Sequence, residues 1–265
     1  MIKPETLELR LKEDEVFEPK TREINFEVQE LFHFTRTNVN EVIRDFYESL
    51  TRAIFSGTLR ERQNETSAVE PDLTDVLRSR YIEVKAAGHT RKIMLKDGQI
   101  SKYSKLQTSD YPIQNPRIYW TLFRYGVRGI QNKYGHKPTD EIIDYLSQDT
   151  RFMVGLPFSV IYELHEEGFG ENGLATRFNG KIGTPCTNFS TVMFDLFFSK
   201  PEQALEMFGL NPEDFRIRRH RVPEDILMNS HPLKPFPLVL IKDNDQHHAC
   251  WIERLKRKQK EEVPF

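Results

Sequence analysis

The chain carries two kinds of apolar pattern: strict alternation with polar residues, and recurrence every three or four positions. Alternation over residues 7–11 and again over 24–28 predicts two half-buried strands. Residues 40–55 place apolar side chains at helical spacing, which predicts an amphipathic helix. Asn40 is a suitable N-cap for this helix, and Gly57 is a common terminator. The N-terminal region is therefore expected to combine strands and a helix.

Later segments continue this mixture of strand and helix patterns. Strands are expected at residues 71–77, 81–87, 118–125 and 237–243, helices at 102–107, 139–148 and 201–209, and a basic helix or tail at 251–260. Asn179 and Gly180 form a strong signal for a two-residue hairpin turn. This order of elements predicts an α/β fold in which helices flank a central mixed sheet.

Composition limits what the protein can be. Hydrophobic residues make up 38% of the 265 positions, and 19 Phe supply bulky material for a core. The 38 basic and 40 acidic residues give a net charge of −2, which argues mildly against nucleic-acid binding, although a local basic patch can still bind. Cys186 and Cys250 fit a reducing compartment, and no apolar run approaches the ~20 residues that span a bilayer. We therefore expect a cytoplasmic protein without a membrane partner.

Two segments mimic ligand-binding motifs without completing them. His247, His248 and Cys250 lie close together, but they lack the paired spacing of a four-ligand zinc site that would include Cys186. Glycines recur within residues 168–173 as in a phosphate-binding loop, but an acidic pair precedes them and no Lys-Ser or Lys-Thr follows. We interpret the first group as unpaired thiols and surface histidines, and the second as a flexible loop.

Two neighbouring predicted strands carry the most informative polar residues. An antiparallel hairpin that turns at residues 78–79 would place Asp72 opposite Lys85, with Glu83 as the diagonal neighbour of Asp72. The two carboxylates and the lysine would then share one face of the sheet, unless the register is shifted by one residue. The competing interpretation is a solvated cross-strand ion pair, which contributes only ~0–1 kcal/mol.

Two carboxylates and a lysine suit the hydrolysis of phosphodiester bonds. Mg²⁺ prefers oxygen ligands and is commonly held by one or two carboxylates together with substrate phosphate, and we expect Mn²⁺ to substitute for it. Asp72 and Glu83 are the expected metal ligands, with the main-chain carbonyl of Val84 as an additional one. The ammonium group of Lys85 would position the attacking water and stabilise the charge that develops on the phosphate.

The same residues resemble the PD-(D/E)XK motif of the restriction-endonuclease-like nuclease superfamily. The tripeptide EPD ends at Asp72, and after ten intervening residues EVK begins at Glu83 and ends at Lys85. The order of predicted elements over residues 40–125 (helix, strand, strand, helix, strand) also matches that superfamily. The resemblance implies a restriction-endonuclease-like core in which Asp72 and Glu83 bind the metal and Lys85 is the catalytic lysine.

The resemblance also implies accessory residues. Many members of the superfamily add a glutamate from the preceding helix, which here would be Glu41, with Glu48 one face repeat later as the alternative. Glu70 is also near enough in sequence to reach the cluster. Gln107 matches a polar residue that some members place near the site, so it is included among the expected DNA contacts, with a surface amide as the competing interpretation.

The resemblance is strongest to type II restriction endonucleases, which implies expectations for the whole chain. Residues 1–265 would form a single nuclease domain, with a catalytic core at about 25–165 and a DNA-recognition and dimerisation elaboration at about 166–265. The protein would cut double-stranded DNA at a specific sequence, as a homodimer, in a system with a cognate DNA methyltransferase. The alternatives are a structure-specific DNA repair or junction-resolving nuclease of the same fold, and a catalytically silent DNA-binding module.

Basic residues supply the remaining expected DNA contacts. Lys102 and Lys105 follow the active-site strand, where a phosphate backbone would approach. If the FRIRRHR segment is a strand, Arg216, Arg218 and His220 form a row that points away from the core. Arginines in such a row either read guanine in the major groove or anchor the protein on phosphates.

Overall fold

The computed structural model describes residues 22–24, 39–55, 58–59, 71–75, 79–88, 92–109, 113–126, 139–166, 175–179, 185–222 and 226–261. The strands in these ranges are β1 (Arg22–Ile24), β2 (Thr58–Leu59), β3 (Leu73–Asp75), β4 (Arg80–Ala87), β5 (Ile93–Lys96), β6 (Arg117–Tyr125), β7 (Thr150–Pro157), β8 (Ala175–Asn179), β9 (Pro185–Phe189), β10 (Phe215–Arg221), β11 (Ile226–Met228), β12 (His231–Pro232) and β13 (Pro237–Asp243). The helices are α1 (Val39–Phe55), α2 (Asp97–Gln107), α3 (Thr139–Asp149), α4 (Phe158–Glu166), α5 (Thr191–Ser199), α6 (Pro201–Met207) and α7 (Asp245–Glu261).

Seven strands form the central sheet, in the order β10-β13-β7-β6-β4-β3-β2. The pairs β4–β6 and β13–β7 are parallel and the other neighbouring pairs are antiparallel, so the sheet is mixed. Two of its strands, β10 and β13, come from the region beyond residue 166 that we expected to elaborate the core. That region therefore also builds the central sheet.

Helices cover both faces of this sheet. On the α1 face, α1 and α3 pack against one set of strand side chains, which includes Val84 and Phe123. On the α2 face, α2, α4, α5, α6 and α7 pack against the alternate set, which includes Trp120 and Leu156. The two sets alternate because the pleat of a strand sends successive side chains to opposite faces. The predicted α/β class, with helices around a central mixed sheet, is confirmed.

The packing of α1 shows how the apolar pattern specifies an element. The residues at helical spacing that predicted this helix are all buried: Ile43, Phe46, Leu50 and Ile54. Burial of each such side chain contributes about 1.5–3 kcal/mol. Tyr47 stacks on Phe123 of β6, with ring centroids 4.6 Å apart. The apolar stripe of α1 therefore holds the helix over β4 and β6, next to the strands that carry Asp72 and Glu83.

A smaller antiparallel sheet has the order β5-β9-β8. The hairpin of β8 and β9 is confirmed, but the two-residue turn at Asn179 and Gly180 is wrong. Asn179 still belongs to the ladder, where it pairs with Pro185, so residues 180–184 connect the two strands. Strand β5 follows β4 along the chain and leads directly into α2.

Some expected elements fall on parts of the chain that the structure leaves out. The predicted strand at 7–11 and the glycine-rich segment at 168–173 lie outside the described residues. Of the strand predicted at 24–28, only Ile24 is described, at the end of β1, which pairs in parallel with β11. Among the helices in the described ranges, none has the length and apolar character needed to cross a bilayer.

Candidate active site

Strands β3 and β4 form the antiparallel hairpin that the sequence predicts, but in a different register. Leu73 pairs with Ile82, which shifts the strands by two residues from the predicted register in which Asp72 lay opposite Lys85. Continued by one pair beyond the end of β3, the observed register places Asp72 opposite Glu83. Because the shift is an even number of residues, the side chains keep the faces predicted for them.

The turn explains this shift. Asp75 pairs with Arg80, so residues 76–79 connect the strands in place of the two-residue turn that we predicted. Arg80 forms a buried ion pair with Asp75 at 3.0 Å and donates a 2.8 Å hydrogen bond to the carbonyl of Phe55 at the end of α1. This ion pair closes the hairpin, and Ser79 just before it has a left-handed φ of 49°.

Glu83 lies at the centre of the candidate site, and both of its carboxylate oxygens have partners. Lys85 donates a hydrogen bond from Nζ to Oε1. Tyr103 of α2 donates from its hydroxyl to Oε2 over 2.6 Å. The Glu83 side chain is 4% exposed and that of Lys85 is 26% exposed, so the lysine lies on the solvent side of the carboxylate.

Asp72, which immediately precedes β3, approaches β4 beside Glu83. Its Oδ2 accepts a hydrogen bond of 2.7 Å from the main-chain N–H of Val84. Because the N–H and C=O groups of one residue leave a strand on the same side, the Val84 carbonyl leaves β4 on the side from which Asp72 approaches. The Val84 side chain is buried in the core on the α1 face, as predicted. Two carboxylates and one main-chain carbonyl therefore lie together along β4.

Burial and neighbouring charge shift the pKa values of this cluster. Desolvation, reinforced by the negative charges of Glu83 and Glu48, raises the pKa of Asp72 to about 8, although the positive charge of Lys85 acts in the opposite direction. Burial lowers the pKa of Lys85, but the charges of Glu83 and Asp72 outweigh it and the net shift is upward. Burial, together with the charge of Glu83, raises the pKa of Tyr103. Lys85 therefore stays cationic and Tyr103 stays a hydrogen-bond donor near neutral pH.

The helix glutamate that acts on this cluster is Glu48. Its negative charge raises the pKa of both Asp72 and Lys85. Among the described residues, the ladder between β3 and β4 ends at Leu73 and Ile82, one position short of Asp72. Glu41, which we expected at the site, lies two turns earlier on the same helix, about 10 Å away along its axis. The alternative of Glu70 lies outside the described residues.

Trp120 and Tyr103 form an aromatic wall that the sequence analysis missed. Trp120 pairs with Glu83 across β4 and β6, and its side chain lies on the α2 face. Nζ of Lys85 lies 5.5 Å from the centroid of the Trp120 ring, within reach of a cation–π interaction. The Tyr103 ring meets Trp120 edge-on, with centroids 6.4 Å apart. Nothing in the sequence separates these two from other core aromatic residues; only the β4–β6 register and the course of α2 bring them to the site.

Helix α2 carries three residues that we expected to contact DNA. Lys102 and Lys105 are exposed, as contact with a phosphate backbone requires. Gln107 is fully buried, and its Oε1 accepts a hydrogen bond of 3.1 Å from Nε1 of Trp251 in α7. We expected Gln107 either to contact DNA or to be a surface amide. Both expectations are wrong because the C-terminal helix covers the side chain.

The FRIRRHR segment is the strand β10, but its proposed outward row is only partly exposed. Phe215 is buried, and Ile217 packs against the core on the α2 face, as predicted. Arg216 and Arg218 lie on the opposite face. The Arg216 side chain is exposed, and the Arg218 side chain is half-buried. His220 is only 2% exposed and pairs with Leu238, a core residue on the α1 face. Its expected DNA contact is wrong because the α1-face core covers the end of this strand.

The position of β10 also separates it from the catalytic cluster. Four strand spacings lie between β10 and β4, a distance of roughly 19 Å. Glu83 pairs with Trp120 on the α2 face, whereas Arg218 pairs with Leu240 on the α1 face. Arg218 therefore lies on the far face of the sheet from Glu83.

The two C-terminal histidines belong to a separate polar cluster. Nδ1 of His247 lies 2.9 Å from Oδ1 of buried Asp243, which also accepts a 2.6 Å hydrogen bond from Ser159. His248 contacts the carbonyl of Asn115 through Nε2 at 3.4 Å. Within the described ranges, no group of three or more His, Cys, Asp or Glu side chains could hold a metal ion.

The geometry of the cluster is the basis for assigning a function. Asp72, Glu83 and Lys85 converge on β4, and Tyr103 and Trp120 contact Glu83 and Lys85 on the α2 face. Comparisons with protein-family models, curated proteins and solved structures found no match for this chain.

Proposed function

We propose that the protein is a Mg²⁺-dependent endonuclease that hydrolyses phosphodiester bonds in double-stranded DNA. The observation that carries the proposal is the convergence of Asp72, Glu83 and Lys85 on β4. The resemblance to the PD-(D/E)XK superfamily assigns the same three residues to catalysis. The observed order of elements is α1, β2, β3, β4, β5, α2, β6, which contains the order that this resemblance implies, with the short strands β2 and β5 in addition.

The donor set fits a hard divalent cation. Two carboxylates and a main-chain carbonyl supply oxygen ligands, and Mg²⁺ commonly takes one or two carboxylates from a protein and completes its shell with water and phosphate. Burial is the largest cause of the raised pKa of Asp72, and the negative charges of Glu83 and Glu48 add to it. When both are ionised, the carboxylates of Asp72 and Glu83 leave an excess of negative charge beside Lys85. A divalent cation would neutralise that excess, and Mn²⁺ would fit the same ligands.

Each residue of the cluster has a separate task in this proposal. A cation held by Asp72, Glu83 and the Val84 carbonyl would polarise the scissile phosphate. Lys85, on the solvent side of Glu83, would orient the attacking water and stabilise negative charge on the phosphate. Tyr103 keeps the Glu83 carboxylate in one orientation through its hydrogen bond to Oε2.

Incubation of the purified protein with supercoiled plasmid tests the proposal directly. We expect nicked and linear DNA in Mg²⁺ or Mn²⁺ and intact plasmid in EDTA. Ca²⁺ should support DNA binding with little cleavage, because it activates water less well. Asp72→Asn should be inactive, and Asp140→Asn, at an exposed position in the first turn of α3, is the matched control and should cut normally. Cleavage that persists in EDTA would falsify the proposal.

Within this activity we propose sequence-specific cleavage by a homodimer, in the manner of a type II restriction enzyme with a cognate methyltransferase. A two-fold axis matches a palindromic site and presents one active site to each strand. Sequencing the ends of plasmid fragments tests this directly. A single recurrent sequence at the ends is expected. Cleavage that follows branched structure regardless of sequence would favour the repair or junction-resolving alternative, and absence of cleavage would favour the silent DNA-binding module.

A further inference from the structure

We propose that the outer face of the small sheet, formed by Met94, Lys96 and Asn188, contacts the bases of bound DNA. The proposal rests on the nuclease function proposed above and names its recognition surface. The β10 row that the sequence suggested lies on the far face of the central sheet and ends in a buried histidine. The small sheet is instead continuous in sequence with the strand that carries Glu83 and Lys85.

The two faces of the small sheet differ in character. Its inner face is apolar and buried through Ile93, Leu95 and Phe189. On the outer face, Met94 is 46% exposed and pairs directly with Asn188, so these two side chains leave the sheet together. Lys96, two positions after Met94 on β5, is exposed on the same face. An apolar side chain, an amide and an ammonium group therefore lie side by side.

The inner face fixes this platform to the rest of the protein. Oγ1 of Thr187 lies 2.8 Å from Nδ1 of His165, so β9 is hydrogen-bonded to the end of α4. Nε2 of the same histidine lies 3.8 Å from Oδ1 of Asp97, the first residue of α2. Side chains on a platform held at several points are positioned more accurately than those on loops.

The outer face also lies within reach of DNA bound at the candidate active site. Lys96 immediately precedes α2, and Tyr103 of the same helix donates its hydrogen bond to Glu83. Seven residues separate Lys96 from Tyr103, which is about 10 Å along the helix axis. A duplex rises about 3.4 Å for each base pair, so this length corresponds to about three base pairs of a duplex that runs along α2.

Charge and chemistry favour a nucleic acid on this face. Residues 92–109 contain four exposed lysines (Lys92, Lys96, Lys102 and Lys105) and one acidic residue, Asp97, which is directed toward His165. Lysines of this density suit a phosphate backbone. An amide such as Asn188 pairs bidentately with adenine in the major groove, and an apolar side chain such as Met94 suits the methyl group of thymine.

Photocrosslinking tests the assignment without requiring cleavage. p-Benzoylphenylalanine is placed at Met94 in the full-length protein and, as a matched control, at Met207, which is 40% exposed on α6. Each protein is irradiated with duplex DNA in Ca²⁺. We expect at least tenfold more crosslinked DNA from position 94 than from position 207. Equal yields from both positions, or no crosslink from position 94, would overturn the proposal.

A second measurement separates base contact from simple proximity. The ends produced by Asn188→Ala in Mg²⁺ are sequenced beside those of the unsubstituted protein. We expect the preference at one base pair to relax by about tenfold, within the range of a bidentate contact. Unchanged end sequences would overturn the assignment while leaving the nuclease function intact. Crosslinking at position 94 in a protein that does not cut DNA would support this surface and refute the nuclease function instead.

Discussion

The hydroxyl of Tyr103 lies 2.6 Å from Oε2 of Glu83 and donates a hydrogen bond to it. Burial and the nearby carboxylate raise the pKa of this tyrosine, so the hydroxyl keeps its proton throughout the range in which proteins are stable. The other carboxylate oxygen accepts from Lys85. The carboxylate that we propose as a metal ligand is therefore held between a neutral donor on α2 and a cation on its own strand.

Removing only the hydroxyl should weaken the site without removing it. Tyr103→Phe keeps the ring against Trp120 and Phe158 but leaves Oε2 of Glu83 without this donor. We expect DNA cleavage in Mg²⁺ to fall about tenfold, which corresponds to about 1.4 kcal/mol, the size of a net hydrogen bond. Mg²⁺ affinity, measured by calorimetry, should fall with it, because the carboxylate loses its fixed orientation.

Tyr145→Phe is the matched control for that experiment. Its hydroxyl also donates a short hydrogen bond to a carboxylate, that of Asp149, but in α3 on the other face of the sheet. Tyr145→Phe should lose about as much stability as Tyr103→Phe, but it should keep the cleavage rate of the unsubstituted protein. Equal cleavage by the two variants would mean that the Tyr103 hydrogen bond is only structural.

Lys85 and Asp72 should act as one unit. Lys85→Met and Asp72→Asn should each reduce cleavage by several orders of magnitude, because each removes a group proposed to contact the reacting phosphate or its cation. The double variant should be little worse than either single variant, since residues that act together are strongly non-additive. Lys260→Met, at an exposed position near the end of α7, is the control for loss of a lysine and should retain most activity. Near-normal turnover by Asp72→Asn would contradict the site.

The two helix glutamates offer a matched pair on one helix. Glu48 acts on the pKa of Asp72 and Lys85, whereas Glu41 lies two turns away on α1. We expect Glu48→Gln to reduce Mg²⁺ affinity and cleavage by about tenfold and Glu41→Gln to change both by less than a factor of two, because charge interactions weaken with distance. A larger loss in Glu41→Gln than in Glu48→Gln would restore Glu41 as the helix residue of the site.

The face of the three proposed catalytic residues could be predicted from the sequence because it depends only on strand parity. Asp72, Glu83 and Lys85 stayed on one face although the register moved by two residues. The register itself depended on the buried Asp75–Arg80 ion pair, which residue spacing does not reveal. Gln107 and His220 failed as DNA contacts because each is covered by a segment distant in sequence, Trp251 in α7 and the core beside Leu238. Tyr103 lay in a predicted helix, but its contact with Glu83 depends on how that helix packs.

The raised pKa of Asp72 predicts how stability depends on pH. Its folded pKa of about 8 lies above the ~3.9 of an unfolded aspartate. The folded state therefore binds a proton more tightly than the unfolded chain, so this group's contribution to stability is fully present below pH ~4 and is lost as pH rises through about 8. The Asp72→Asn variant has no ionisable group at this position, so it should lose no stability from this source over that pH range. We expect its melting temperature, relative to that of the unsubstituted protein, to rise between pH 5 and about pH 8 and to level off above that pH.

The ionisation of Asp72 should also control cation binding, but this property should strengthen, not weaken, as pH rises. A carboxylate binds Mg²⁺ only after it loses its proton, so Mg²⁺ affinity should increase as pH rises toward about 8 and level off above it. Calorimetry in two buffers of different ionisation enthalpy should show proton release on Mg²⁺ binding at pH 7, and little release at pH 9. Asp75→Asn is unsuitable as a control because it would break the buried pair with Arg80, so Asp140→Asn serves again. An affinity that does not change between pH 6 and pH 9 would mean that Asp72 is already ionised when the cation binds, and that burial and the charges of Glu83 and Glu48 do not hold its proton.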